Sequence, residues 1–137
     1  MIRSLQVGML CLCFLVVIGF WMYVDRPAFL YPALPFSHPD KSSVVAKLKQ
    51  ADDEMLVPLS ADSNTSYFWV GAKSSQGSEA SRLKLLLQKA GWSFLEQEGA
   101  GYFFEKDQKR IVITSQMWSR DFVLYKVSSE IPADIFQ

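Results

Sequence analysis

The run from Val7 to Val24, VGMLCLCFLVVIGFWMYV, carries no charged side chain. As a helix rising about 1.5 Å per residue it reaches roughly 27 Å, close to the hydrocarbon thickness of a bilayer. The remainder of the chain is of ordinary soluble composition. The chain therefore reads as a short tail (1–6), a transmembrane helix (7–24), a proline-rich juxtamembrane linker (25–39) and a small folded domain (40–137).

A cleaved secretory signal is the competing reading of the N-terminal segment. It requires a charged start, an apolar stretch of about 7–15 residues and small residues at the cleavage point. Arg3 supplies the charge, but the apolar run is too long. Its end, Phe20-Trp21-Met22-Tyr23-Val24, offers bulky groups where a peptidase needs Ala or Gly. The reading adopted is an uncleaved signal-anchor, in contact with membrane lipid through residues 7–24. Phe20, Trp21 and Tyr23 gather at one end of it, where amphipathic rings favour the membrane interface.

Orientation rests on local charge. Arg3 has no acidic neighbour, whereas Asp25 offsets Arg26 and Asp40 offsets Lys41. That pattern favours a cytoplasmic N-terminus and an exported, extracytoplasmic C-terminal domain, although a bare count of Lys and Arg gives no vote. Both cysteines, Cys11 and Cys13, lie inside the apolar run, and a cysteine-free domain suits an oxidising compartment.

Four of the six prolines fall between Pro27 and Pro39. Proline fixes φ and lacks a donor, so neither helix nor inner strand runs through this stretch. Phe29, Leu30, Tyr31, Leu34 and Phe36 make it too apolar for a solvated spacer. The expectation is a segment lying on the headgroup region or against the domain.

Beyond the linker, Ser42 or Ser43 is placed to cap a first helix whose stripe is Val44, Leu48, Ala51 and Met55, closed by Pro58. Ser60 to Ser66 reads as a polar loop and Tyr67 to Val70 as a strand. A second helix starts at Gly77 or Ser78, buries Leu83, Leu86, Leu87 and Ala90, and ends at Gly91. The period then changes from 3.6 to 2. Trp92–Gln97, Tyr102–Glu105, Lys109–Met117 and Phe122–Val127 read as strands joined by Gly99-Ala100-Gly101, Asp107-Gln108 and Ser119-Arg120-Asp121. The fold class expected is α+β: two helices covering one face of an antiparallel sheet made mainly by a C-terminal β-meander.

Fifteen aromatic residues lie beyond Arg26, more than two helices on one face can hide. Either the small sheet curls into an aromatic core, or an exposed patch marks a partner surface. Trp92, Tyr102, Phe104 and Trp118 are the candidate members of such a patch.

Little in the chain suggests chemistry. His38 is the sole histidine, set between Ser37 and Pro39 with no second ligand at metal spacing. The domain has no cysteine nucleophile and no GxSxG element. Adjacent helical positions in Asp52-Asp53-Glu54 fan out by about 100° and cannot converge on one substrate. Glu96 and Glu98 remain as a carboxylate pair, with Glu96 expected on the strand face of Trp92 and Phe94, which would suit a hydrolase acting on carbohydrate. Asp62–Ser66 lacks the Gly and Glu of an EF-hand. With 14 basic and 14 acidic side chains and no basic groove, nucleic acid is not an expected partner. No cofactor is implied. The function expected is a membrane-tethered, non-catalytic accessory or interaction module whose partner is a protein or another envelope component. A membrane-anchored hydrolase using Glu96 and Glu98, or a secreted protein with its signal removed, is the alternative.

Overall fold

The computed structural model describes residues 2–53, 55–60, 66–75 and 77–136. It divides into two compact units, Met1–Tyr31 and Pro32–Gln137.

The first unit is dominated by helix α1, Ile2–Val24. Its stretch Gln6–Val24 is long and apolar enough to cross a membrane, and none of it is buried by protein. A helix with no polar side has no face to present to water, so its favourable surroundings are lipid or a protein core. The Asp25 amide closes the last turn on the Trp21 carbonyl at 2.8 Å. Pro27 then disfavours helical geometry at Arg26. A 3-10 turn, Ala28–Leu30, comes next.

The second unit contains α2 (Lys41–Gln50), β1 (Val57–Ser60), β2 (Tyr67–Lys73), α3 (Ser78–Lys89), β3 (Ser93–Glu98), β4 (Gly101–Lys106), β5 (Lys109–Met117) and β6 (Phe122–Ser128), then a 3-10 turn, Ala133–Phe136. The strands form one antiparallel sheet in the order β1-β2-β6-β5-β4-β3. This is the α+β class expected, with the C-terminal meander as its larger part. Asp107 and Gln108 both take positive φ, 50° and 65°, in the two-residue turn that joins β4 to β5.

Several local features depart from expectation. The cap of α2 is Asp40, whose carboxylate accepts from the Ser43 amide at 3.3 Å, from Ser43 Oγ at 2.6 Å and from Ser42 Oγ. A carboxylate placed before two serines takes the capping role from both. The helix stops at Ala51, so Met55 lies outside it and is 43% exposed. Pro58 does not end a helix; it sits inside β1, pairing with Val70. An edge strand tolerates proline because the missing N–H costs no ladder bond on the solvent side. Residues 61–65 of the expected loop lie outside the described residues, as does Glu54 of the acidic run.

At α3 the expectation holds. Gly91, at φ 87°, ends the helix, and the Trp92 amide reaches back to the Leu87 carbonyl at 2.9 Å. At the other end Glu79, buried, accepts through Oε2 from the amides of Ser75 and Gly77, each at 3.2 Å.

The two helices do not share a face. Leu83 and Leu87 of α3 pack in one cluster with Phe68, Val70, Tyr102, Phe104, Ile113, Val123 and Tyr125. Gly71 and Leu124 are cross-strand partners and alternate with those residues, so they face the opposite side. A Cβ on Gly71 would lie 2.7 Å from Leu48 of α2 and 2.7 Å from Leu59 of β1. Thus α2 covers the second face over β1 and β2. The proline-rich segment joins it there: Trp118 Nε1 donates to the Ala33 carbonyl at 3.3 Å, and the Phe36 and Trp69 rings meet at 5.8 Å. One half of the sheet is covered on both faces, the other half on one.

Candidate functional site

The aromatic residues singled out as a candidate surface are core. Trp92 is 6% exposed, Tyr102 7%, Phe104 0% and Trp118 3%. Tyr102 and Phe104 point towards α3, where Tyr102 meets the Tyr125 ring at 6.2 Å and Phe104 meets Phe94 at 5.5 Å. Trp118 stacks on Phe122 at 6.2 Å beneath the Ala33 carbonyl. Trp92 lies at the C-terminus of α3, where Lys106 Nζ sits 6.0 Å from its ring and donates to the Ala90 carbonyl at 2.8 Å. These four cannot form a patch, because covering both faces gives the aromatic surplus somewhere to go.

Glu96 and Glu98 are exposed on β3, the edge strand. A β-bulge between Phe94 and Glu96 leaves Leu95 unpaired. The extra residue turns Glu96 away from the face of Phe94, opposite Phe103, which reverses the placement inferred from strict alternation. Glu98 pairs with Gly101 on that same face. Trp92 precedes the far end of β3, and Trp118 comes directly after Met117, which pairs with Val123 of β6. The structure therefore does not bring the carboxylates together with either tryptophan.

What it does assemble is an uncovered sheet face over β3, β4 and β5. Phe103 and Val112 are cross-strand partners there, with Val112 46% exposed. Glu105 and Arg110 form an ion pair across the next register position, at 3.3 Å. Glu96 and Glu98 line the edge. Alternation along the strand sets Phe103 opposite to Tyr102 and Phe104, as the period of two in the sequence predicts.

Elsewhere, a cleft of about 390 Å³ runs beside Asp52, Asp53, Leu56, Arg82 and Phe136. Lys73 Nζ holds Asp53 at 3.0 Å on an exposed surface nearby. His38 is exposed. Among the described residues no group of three or more His, Cys, Asp or Glu side chains is gathered as metal ligands. Among the described residues, Asp40 and Tyr125 titrate away from their ordinary ranges. Hydrogen bonds from the Ser42 and Ser43 hydroxyls hold the Asp40 carboxyl down at about 2. Burial, aided by Tyr102 and Glu79, holds the Tyr125 hydroxyl well above the usual phenol range, so it stays protonated at neutral pH.

On α1, Phe20, Trp21 and Tyr23 are all exposed near the C-terminal end of the helix, and Cys11 and Cys13 are free thiols on its surface. The chain matches no protein-family model, and no curated protein or solved structure is significantly similar to it.

Proposed function

We propose that this chain is a membrane-tethered interaction module without catalytic activity. In this reading α1 crosses the bilayer with its N-terminus in the cytoplasm, Phe20, Trp21 and Tyr23 sit at the outer interface, and the α+β domain is exported. The domain offers the Phe103–Val112 face to a protein or other envelope partner. One observation carries the reading: a helix apolar on every side, with none of its Gln6–Val24 stretch buried by protein, precedes a compact domain. Tethering supplies the physical advantage, since confining a weak binder to one surface raises its effective concentration there to the millimolar range.

The test is extraction of native membranes with alkaline carbonate. The intact chain stays in the pellet, and a variant lacking Ile2–Val24 moves to the supernatant. Recovery of a shortened wild-type polypeptide without detergent would replace the tether with a removed signal. Reporter fusions after Gln137 report orientation; activity of a cytoplasm-specific reporter there reverses the topology. Glu96→Gln with Glu98→Gln, at the rim of the Phe103–Val112 face, weakens partner capture without abolishing it. Complete loss in a variant that still folds would favour a hydrolase.

A further inference from the structure

We propose that the 3-10 turn Ala28–Leu30 is a second lipid contact, seating Phe29 and Leu30 in the interfacial layer of the bilayer that α1 spans. The proposal rests on the tethered reading above. Phe29 is 69% exposed and Leu30 49%, adjacent large apolar groups that leave much of their surface open. Their position on the chain selects the occupant. Three residues, Asp25 to Pro27, separate the end of α1 from the turn. From Val24 to Ala28 the chain makes four Cα steps, so even fully extended it reaches only about 14 Å. The polar layer on each side of the hydrocarbon core is about 5–8 Å thick. The Asp25 amide is still bonded to the Trp21 carbonyl, which shortens that reach, so the turn emerges within the layer or just above it, where lipid is the nearest surface.

The backbone suits this environment. The Leu30 amide donates to the Pro27 carbonyl at 3.1 Å and the Tyr31 amide to the Ala28 carbonyl at 3.2 Å. Internal hydrogen bonds of this kind lower the cost of leaving water, which an irregular extended segment would bear in full. Asp25 and Arg26 lie between the two apolar contacts, at the height of the lipid headgroups. The result is a span with a shallow foot in one leaflet, and two such contacts restrict the tilt of the helix more than the span alone.

The experiment uses the full chain with Cys11→Ser and Cys13→Ser, reconstituted in phosphatidylcholine–phosphatidylglycerol vesicles. An environment-sensitive fluorophore is placed at Ala28→Cys, at Leu15→Cys as a mid-span reference, or at Gln88→Cys as a reference on the exposed side of α3. Lipids carrying a nitroxide near the headgroup end of the acyl chain serve as quenchers. The fluorophore at position 28 should emit to the blue of that at position 88 and lose intensity with the shallow quencher. Phe29→Ser with Leu30→Ser should remove most of that loss. If position 15 is quenched by a deep nitroxide while position 28 behaves like position 88, the foot is wrong and the tether stands. Quenching at position 28 that ignores the double serine substitution also overturns the proposal, because chain continuity alone would then place the turn. Absence of quenching at position 15 removes the tether and the foot together.

Discussion

Gly71→Ala tests the two-faced arrangement of the sheet, because the cost of one methyl there depends on α2 lying over β2. The new Cβ would fall 2.7 Å from Leu48 Cδ2, 2.7 Å from Leu59 Cδ1 and 3.3 Å from Leu59 Cγ. Carbon atoms pack at about 3.5–4.0 Å, so each methyl must retreat by roughly 1 Å. Leu48 is 0% exposed and Leu59 6%, so neither can swing into solvent. Overpacking of this kind costs about 1–3 kcal/mol. Against it stands the loss of freedom in the unfolded chain, which favours alanine by about 0.4–1 kcal/mol. The net expectation is destabilisation of about 1–2 kcal/mol, a fall in melting temperature of about 4–16 °C for a domain near 100 residues. The assay is a thermal melt of the full chain in detergent micelles, monitored by near-ultraviolet circular dichroism. Leu48→Val, on α2, removes one of the clashing carbons. It should cost about 0.8 kcal/mol in the wild type and less in the Gly71→Ala background, a coupling of about 0.5 kcal/mol or more. A raised melting temperature, or strict additivity of the two substitutions, would refute the placement of α2 over this face.

The α2 side of the domain supplies two further expected outcomes. Asp40 titrates near 2 in the folded chain against 3.8 when unperturbed, so the cap contributes fully above about pH 4 and is lost as pH falls towards 2. Asp40→Asn keeps a capping oxygen without the titration. The difference in denaturation midpoint between wild type and this variant should be constant above pH 4 and change below it; a difference flat down to pH 2 contradicts the cap. Trp118→Phe removes the donor to the Ala33 carbonyl, at a cost of about 1 kcal/mol. It should speed amide exchange in residues 32–39 more than in β5 or β6, and uniform exchange rates across these segments would show that the segment is not held by this bond.

The parts of the fold legible in the sequence are those fixed by neighbours along the chain. The apolar run of α1 needs no partner to be recognised. The end of α3 at Gly91 and the turn at Asp107-Gln108 are set by local backbone demands, and the structure places both where the residues put them. What was not legible depends on distant contacts. Pro58 argues against a strand until β1 is known to be an edge, and only its pairing with Val70 shows that. The cover over Trp69 and Trp118 comes from Phe36 and Ala33, the latter 85 residues away from its hydrogen-bond donor. No periodicity within either segment announces that meeting.

The same limit explains why the candidate surface moved. Trp92, Tyr102, Phe104 and Trp118 look like a surplus when both helices are assigned to one face of the sheet. Placing α2 and the proline-rich segment on the opposite face absorbs Trp69, Trp118 and Phe122 over β2 and β6, and leaves Tyr102 and Phe104 to α3. The cover runs out at β5. The bulge at Leu95 then acts on the uncovered part, because one unpaired residue sends Glu96 to the face of Phe103 rather than that of Phe94. An apolar pair, Phe103 and Val112, is thereby bordered by Glu96, Glu98 and the Glu105–Arg110 ion pair. Charges beside an open sheet edge oppose indiscriminate strand pairing. A partner docking on this face must satisfy those carboxylates as well as cover the two apolar side chains, which selects for a complementary basic rim around an apolar centre.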